Sequence, residues 1–255
     1  QIITKQMMKK LMIAPLCLLA LSCGNNNSEN ATNIENEQAF CSLEIDENAG
    51  SACNVEFGGI TFTRALNGAD SLVTIQDDGK MRFIAHENAD FFCDPNEQLT
   101  NNSAPVLLTE IDNTKPFRFT AKVSPEFTQT GLYNAGVLYV YANDAFWQKF
   151  CFEQDERGKH RIVSVRTMGT SDDNNHDVIS QDWAYLRLFS DTRTLAFYYS
   201  LDGTEWQMVR LYKNNFPKRV FLGISNQCPK DKNSRSIFEE VSISTDNVKD
   251  IRMGN

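Results

Sequence analysis

The feature that most limits what this chain can fold into is a two-residue alternation of apolar and polar side chains, recurring in short runs and densest between Gly136 and His176. In Phe146–Glu153, Phe146, Phe150 and Phe152 fall on one side around Gln148, while Trp147, Lys149, Cys151 and Glu153 fall on the other. A period of two belongs to a β-strand with one face in a core and the other open to solvent or a ligand. Asp155–Lys159 (DERGK) reads as a charged hairpin loop in which Gly158 takes positive φ. His160–Thr167 then returns as a β-branched run. No apolar pattern of period 3.6 persists, so no major helix is expected.

The alternation is not confined to that stretch. Gly58–Arg64, Leu72–Ile75, Met81–Ala85 and Phe117–Val123 precede it, and Trp183–Phe189, Leu195–Ser200, Gln207–Tyr212, Val220–Ser225 and Phe238–Ser244 follow. Asp77–Lys80 reads as a turn, and Pro105 within Ala104–Leu108 suits a strand start or an edge. Short strands and turns at this spacing predict an all-β sandwich. With 255 residues, 41% of them hydrophobic, the chain can bury one substantial core, and 17 phenylalanines suit the space between two sheets. The sequence has no internal repeat and no second domain.

The amino terminus reads differently. Lys9 and Lys10 lead into the apolar run Leu11–Leu21, closed by Ser22 and Cys23, which is the pattern of a secretory signal and too short to span a bilayer. Leu21–Gly24 (LSCG) resembles the lipobox of bacterial lipoproteins. That resemblance implies a signal over 1–22, a lipid on Cys23 as membrane anchor, and a place in the bacterial cell envelope, periplasmic or outer-membrane. An ordinary signal peptide is the alternative. Residues 23–39 are rich in Asn and Glu and poor in apolar side chains, so a flexible tether is expected, with one sandwich over 40–255. Removing 1–22 takes away three lysines and no acid, moving the formal charge from −8 to −11. A chain this acidic, without a basic patch, argues against nucleic acid as a partner. Cys41 and Cys53 bracket a short loop and are expected to pair in an oxidising compartment. Cys93, Cys151 and Cys228 remain, at spacings that fit no zinc site; one further bridge or three buried thiols are both open.

Several runs stand in a telling order: Asp90–Pro95 (DFFCDP), Gly136–Leu138 leading to Trp147–Lys149 and Phe152-Glu153, Val163–Val165 leading to Ser171–Asn174, then Leu186–Leu188, Ser200–Gly203 with Trp206, and Met208–Arg210. This succession, from Val55 to Ser244, resembles the domain-of-unknown-function family numbered 1349, and departs from it at Asn226–Pro229, where a Ser-Pro pair is usual. The resemblance implies a concanavalin A-like jelly roll of two antiparallel sheets and a link to carbohydrate. It carries no catalytic residue with it.

Three constellations could carry chemistry. Trp147, Lys149 and Glu153 share one face, with Tyr139 on a neighbouring run and Tyr185 and Arg187 on another. Flat rings meet the C–H faces of sugars, and charged or amide groups meet their hydroxyls, so these six form the expected ligand-binding set. The alternative is that the aromatics pack in a core or beneath a loop. Glycoside cleavage needs paired carboxyls, for which Glu153 with Asp172 or Asp173 is the candidate. Glu153–Glu156 starts the Glu-x-Asp-x-x-Glu pattern of glucanases of this general fold, but its third acid comes early, which places Glu156 in the hairpin rather than a cleft. Solvated turns are the stronger reading of these acids. Asp173, Asn175 and Asp177 offer oxygens at alternate positions for a calcium ion, or else form a self-bonded polar loop. Ser200–Trp206 looks like the Asp-box hairpins of sialidase-type proteins, with a structural role expected. No nucleotide cofactor is indicated. The leading expectation is a lipid-anchored, lectin-like envelope protein, with a glycosidase and a structural or interaction module as rivals.

Overall fold

The alternating runs become strands. In the computed structural model, which describes residues 42–255, the chain forms β1 (Ser51–Phe57), β2 (Ile60–Leu66), β3 (Val73–Ile75), β4 (Met81–His86), β5 (Phe91–Cys93), β6 (Thr100–Asn102), β7 (Val106–Asp112), β8 (Phe117–Pro125), β9 (Ala135–Asn143), β10 (Phe146–Gln154), β11 (His160–Met168), β12 (Thr170–Val178), β13 (Ala184–Ser190), β14 (Thr194–Ser200), β15 (Gln207–Lys213), β16 (Arg219–Gln227) and β17 (Asn233–Ser244). One 3-10 turn, Ala69–Ser71, interrupts them. An eight-stranded sheet runs β1-β2-β7-β16-β9-β10-β11-β12, and a seven-stranded sheet runs β15-β14-β13-β8-β17-β4-β3. The strand pairings among the described residues are antiparallel, giving the all-β jelly-roll sandwich that the alternation and the resemblance led us to expect.

The core lies between the sheets because each strand turns its apolar set inward. In β8, Phe117, Phe119, Ala121 and Val123 are buried while Arg118, Thr120 and Lys122 are half-exposed. Phe150 and Phe152 of β10 meet the same core, and Phe150 packs on Phe197 of β14 at 5.1 Å. Burial of rings of this size is the dominant favourable contribution to such a fold. Pro105 immediately precedes β7, an interior strand of its sheet, so it opens a strand rather than guarding an edge.

Two features depart from the sequence reading. Ser171–Asp177 is not a loop but most of β12, the edge strand of the eight-stranded sheet; Asp172–Asn175 are all exposed, so no inside–outside alternation marked it. The outer face of β10 is also covered where an open platform was expected. The β5–β6 hairpin lies over it, and every residue of β10 is buried. Phe91 of β5 sits edge-on to Trp147 at 5.5 Å, to Tyr139 at 5.8 Å and to Tyr141 at 6.3 Å, forming a second apolar cluster outside the sandwich.

The expected tether, Cys23 and Cys41 lie outside the described residues. Cys53, the other end of the expected bridge, is half-buried on β1, where its thiol donates to the Phe62 carbonyl at 3.4 Å. Among the described residues no helix is long and apolar enough to cross a membrane.

If Phe91 is what seals the outer cluster, Phe91→Ala should cost about 3–5 kcal/mol of stability in urea unfolding and open the Trp147 indole to iodide quenching. A variant with unchanged midpoint and unchanged quenching would show that the hairpin does not pack there.

Candidate functional site

The register of five strands sets out the floor of a pocket on the part of the outer face that the hairpin leaves open. Lys149 of β10 stands opposite Tyr139 of β9 and Val165 of β11, and Val165 opposite Asp173 of β12. One rung along, Cys151 faces Val137 and Val163, and Val163 faces Asn175. The next rung is Glu153, Ala135 and Gln227 of β16. The period of two thus brings Lys149, Glu153, Asp173, Asn175 and Gln227 to one surface.

A chain of polar contacts joins them. The Lys149 ammonium, 3% exposed, donates to Asp90 Oδ1 at 2.9 Å and to Gln227 Oε1 at 3.0 Å. The Gln227 amide in turn donates to Glu153 Oε2 at 3.1 Å and to the Tyr133 carbonyl at 2.7 Å. Asp90 is itself fixed, since its Oδ1 accepts from the Phe91 amide and its carbonyl from Ser103 and Ala104 at the far end of the hairpin. Above this floor stands a cavity of about 460 Å³. Phe92, Leu99 and Asn101 of the hairpin wall one side; Tyr133, Glu156 and Pro229 wall another. A second cavity of about 530 Å³ adjoins it across Asn88, Pro229 and Lys230.

The charges are unevenly balanced. Burial alone would lower the Lys149 pKa, but Asp90 and its neighbours outweigh that and hold it above the ordinary lysine range, so the ammonium stays charged. Glu153 moves the other way for an acid: burial lifts it well above the usual carboxyl value, Lys149 opposes, and Asp173, Asp90 and Asp155 reinforce the rise. Asp173, on the open wall, is also raised, first by partial loss of water and against the pull of Lys149. Burial pushes the Cys151 thiol up, which leaves it a packing group rather than a nucleophile.

The expected ligand-binding set is therefore divided. Lys149 and Glu153 are in the pocket. Trp147 and Tyr139 are fully buried under Phe91, and neither ring has a face open to a sugar. Tyr185 and Arg187 belong to β13 of the other sheet, because alternation along a strand cannot tell which sheet that strand joins. There Tyr185 donates to the Glu240 carboxylate at 2.9 Å, and Arg187 stacks 3.4 Å from the Trp206 ring centre while donating to the Gly254 carbonyl. Of the candidate acids, Asp173 lines the cavity with Glu153, whereas Asp172 turns away to Arg210 at 3.1 Å. Glu156 does reside in the hairpin loop between β10 and β11, yet it lines the cavity too. The calcium set is split as well: Asp173 and Asn175 face the cavity, while Asp177 accepts from Tyr199 of the opposite sheet at 2.7 Å. Among the described residues no group of three or more His, Cys, Asp or Glu is placed to hold a metal ion. Ser200–Trp206 is a structural hairpin: Asp202 accepts from the Thr204 and Glu205 amides, and Trp206 packs with Tyr198 and Phe189.

Asp90, Tyr133 and Gln227 were not singled out as site residues from the sequence. Two signals pointed their way: the Asp90–Pro95 run, whose Asp90 and Phe92 line the cavity, and the departure at Asn226–Pro229, which holds Gln227 and Pro229.

The raised Glu153 pKa has a consequence for stability. Between its ordinary value of 4.5 and its higher folded value, the folded state holds a proton that the unfolded chain has released, so stability falls as pH rises through that window. Glu153→Gln removes this dependence. The variant's stability relative to the parent should therefore climb from pH 4 upward in urea titrations; parallel curves would mean that Glu153 ionises freely.

Comparisons with known proteins bear on this geometry. A protein from Saccharomyces cerevisiae, described as functionally unknown, superposes with a TM-score of 0.64 at 24% identity, over 72% of this chain and 96% of that one. The GH43 protein BlXynB from Bacillus licheniformis gives 0.54 at 14% identity, over 69% of this chain. The Bacteroides ovatus xyloglucan PUL protein GH43B gives 0.53 at 14%, over 76%. The chain spans only 35% and 37% of those two proteins, and likenesses at this identity speak to the fold alone. No curated protein matches. The family described as "Protein of unknown function (DUF1349)" matches residues 69–246, so the chain belongs to that family.

Proposed function

We propose that this protein binds a carbohydrate in the cavity built on Lys149, Gln227, Glu153, Asp173 and Asn175. The observation that carries the reading is the chain Asp90–Lys149–Gln227–Glu153, which fixes charged and amide groups on the floor of an otherwise half-apolar cavity. A sugar offers hydroxyls that both donate and accept. Amides and carboxyls held at fixed positions match them, and Phe92, Leu99 and Tyr133 offer apolar surface to its C–H face. The sandwich shared with the GH43 proteins supports the same direction.

On a glycan array, the glycan that binds should lose about fivefold to tenfold in affinity on Asn175→Ala, the scale of one good hydrogen bond. Tyr185→Ala, on the other sheet, should leave binding unchanged. Equal loss from both, or loss only from Tyr185→Ala, would move the site away from this cavity.

The raised pKa of Glu153, with Asp173 in the same cavity, favours a second reading as a glycosidase in which Glu153 is the general acid. Glu153→Gln separates the two. A lectin keeps its affinity, while a glycosidase keeps affinity and loses turnover by about 100-fold or more in a released-sugar assay.

The lipobox-like Leu21–Gly24 supports placing this protein at a bacterial cell envelope, held by a lipid on Cys23. A palmitate analogue should label the parent chain and not Cys23→Ala; label retained on the variant would refute the anchor.

A further inference from the structure

The second cavity gives the site a direction. It is more open than the first, is lined by Glu87, Thr130, Asp231 and Lys232, and meets the first at a saddle made of Asn88, Pro229 and Lys230. That saddle is fastened on both sides. Cys228 and Ala89 form an isolated antiparallel bridge, with the Cys228 amide donating to the Ala89 carbonyl at 2.8 Å, which ties the loop after β16 to the lead of the hairpin. Asp231 accepts from Thr128 Oγ1 at 3.1 Å and from the Asn134 amide at 3.4 Å, and its carbonyl accepts from the Cys228 thiol at 3.2 Å. Thr128 is held in its turn by Gln154 at the end of β10, whose side chain bonds both its amide and its carbonyl.

Such a saddle is preorganised, so a ligand lying across it does not have to order it. Each cavity falls in the size range of a small-ligand site, and the two share Asn88, Pro229 and Lys230. Their walls differ. The first has rings, Leu99 and the buried Lys149 network, while the second has no aromatic ring and, besides Pro229, is lined by charged side chains, Asn88 and Thr130. That contrast suits one tightly recognised unit followed by a more loosely recognised continuation.

We infer that the ligand is an oligosaccharide chain rather than a single sugar, with one unit seated over Lys149 and Glu153 and the following units crossing Asn88, Pro229 and Lys230 into the cavity of Glu87, Thr130 and Lys232. The inference rests on the carbohydrate reading above and adds the length and path of the ligand. Glu87 and Lys232 are exposed and take no part in the hydrogen bonds of the floor network, so they report on the continuation.

The test uses the full chain and an array of mono- to hexasaccharides cut from xylan, cellulose, mannan and chitin, with titration calorimetry on those that bind. Affinity should rise at least about tenfold from the disaccharide to the tetrasaccharide of the bound series. The double variant Glu87→Ala with Lys232→Ala should lose that gain while binding the disaccharide as the parent does. Affinity independent of length, or a double variant that binds every length like the parent, overturns the chain inference and leaves the carbohydrate reading standing. Binding to none of the printed sugars at any length overturns both.

Discussion

The outer face of this sandwich depends on one buried ion pair, Lys149 to Asp90 at 2.9 Å. An ammonium 3% exposed in a sheet otherwise packed with apolar groups is costly unless its charge and its hydrogens are answered, and here Asp90 and Gln227 answer both. Three separate parts of the chain meet at that nitrogen: the centre of the sheet through β10, the hairpin through Asp90, and the end of β16 through Gln227. Removing one member of such a set leaves a buried charge without its partner, which typically costs about 3–5 kcal/mol. The pair fixes where the hairpin lies, and the position of the hairpin divides the outer face.

On one side of that division is a dry cluster, where Phe91 meets Trp147, Tyr139 and Tyr141 edge-on. On the other is the cavity, where the same strands turn up carboxyls and amides. Both halves come from alternate residues of the same β10, so the change from packing to polar surface happens within the step from Trp147 to Lys149. The cavity inherits its electrostatics from this closeness. Glu153 is raised because it is walled in beside other acids, and Lys149 restrains that rise without cancelling it.

The sequence was most informative where strands carry one apolar side. Phe117–Val123 falls within two residues of β8, whose burial on a single face imposes the alternation directly, and the β-rich runs Leu195–Ser200 and Gln207–Tyr212 fall within a residue of β14 and β15. It was least informative where tertiary structure overrides the pattern. β12 is exposed along its acidic stretch and has nothing to alternate, and β5 and β6 have three residues each, too few to show a period. At the site, the side of β10 that carries Lys149 and Glu153 was legible, because alternation settles which residues share a side. What covers that side was not. Phe91 and Asp90 reach it from nearly sixty residues away in sequence, and Tyr185 and Arg187 were misassigned because sheet membership is a long-range property.

The placement of β12 at the end of its sheet has an evolutionary consequence. Asp173 and Asn175 form a wall of the cavity from a strand with a neighbour on one side only, and their side chains carry none of the sandwich's core. Neither takes part in the inter-sheet packing or in the hydrogen bonds of the Lys149 clamp. The cavity thus combines an anchor tied to folding with a flank that the core does not depend on, which leaves room for recognition to diverge without rebuilding the scaffold.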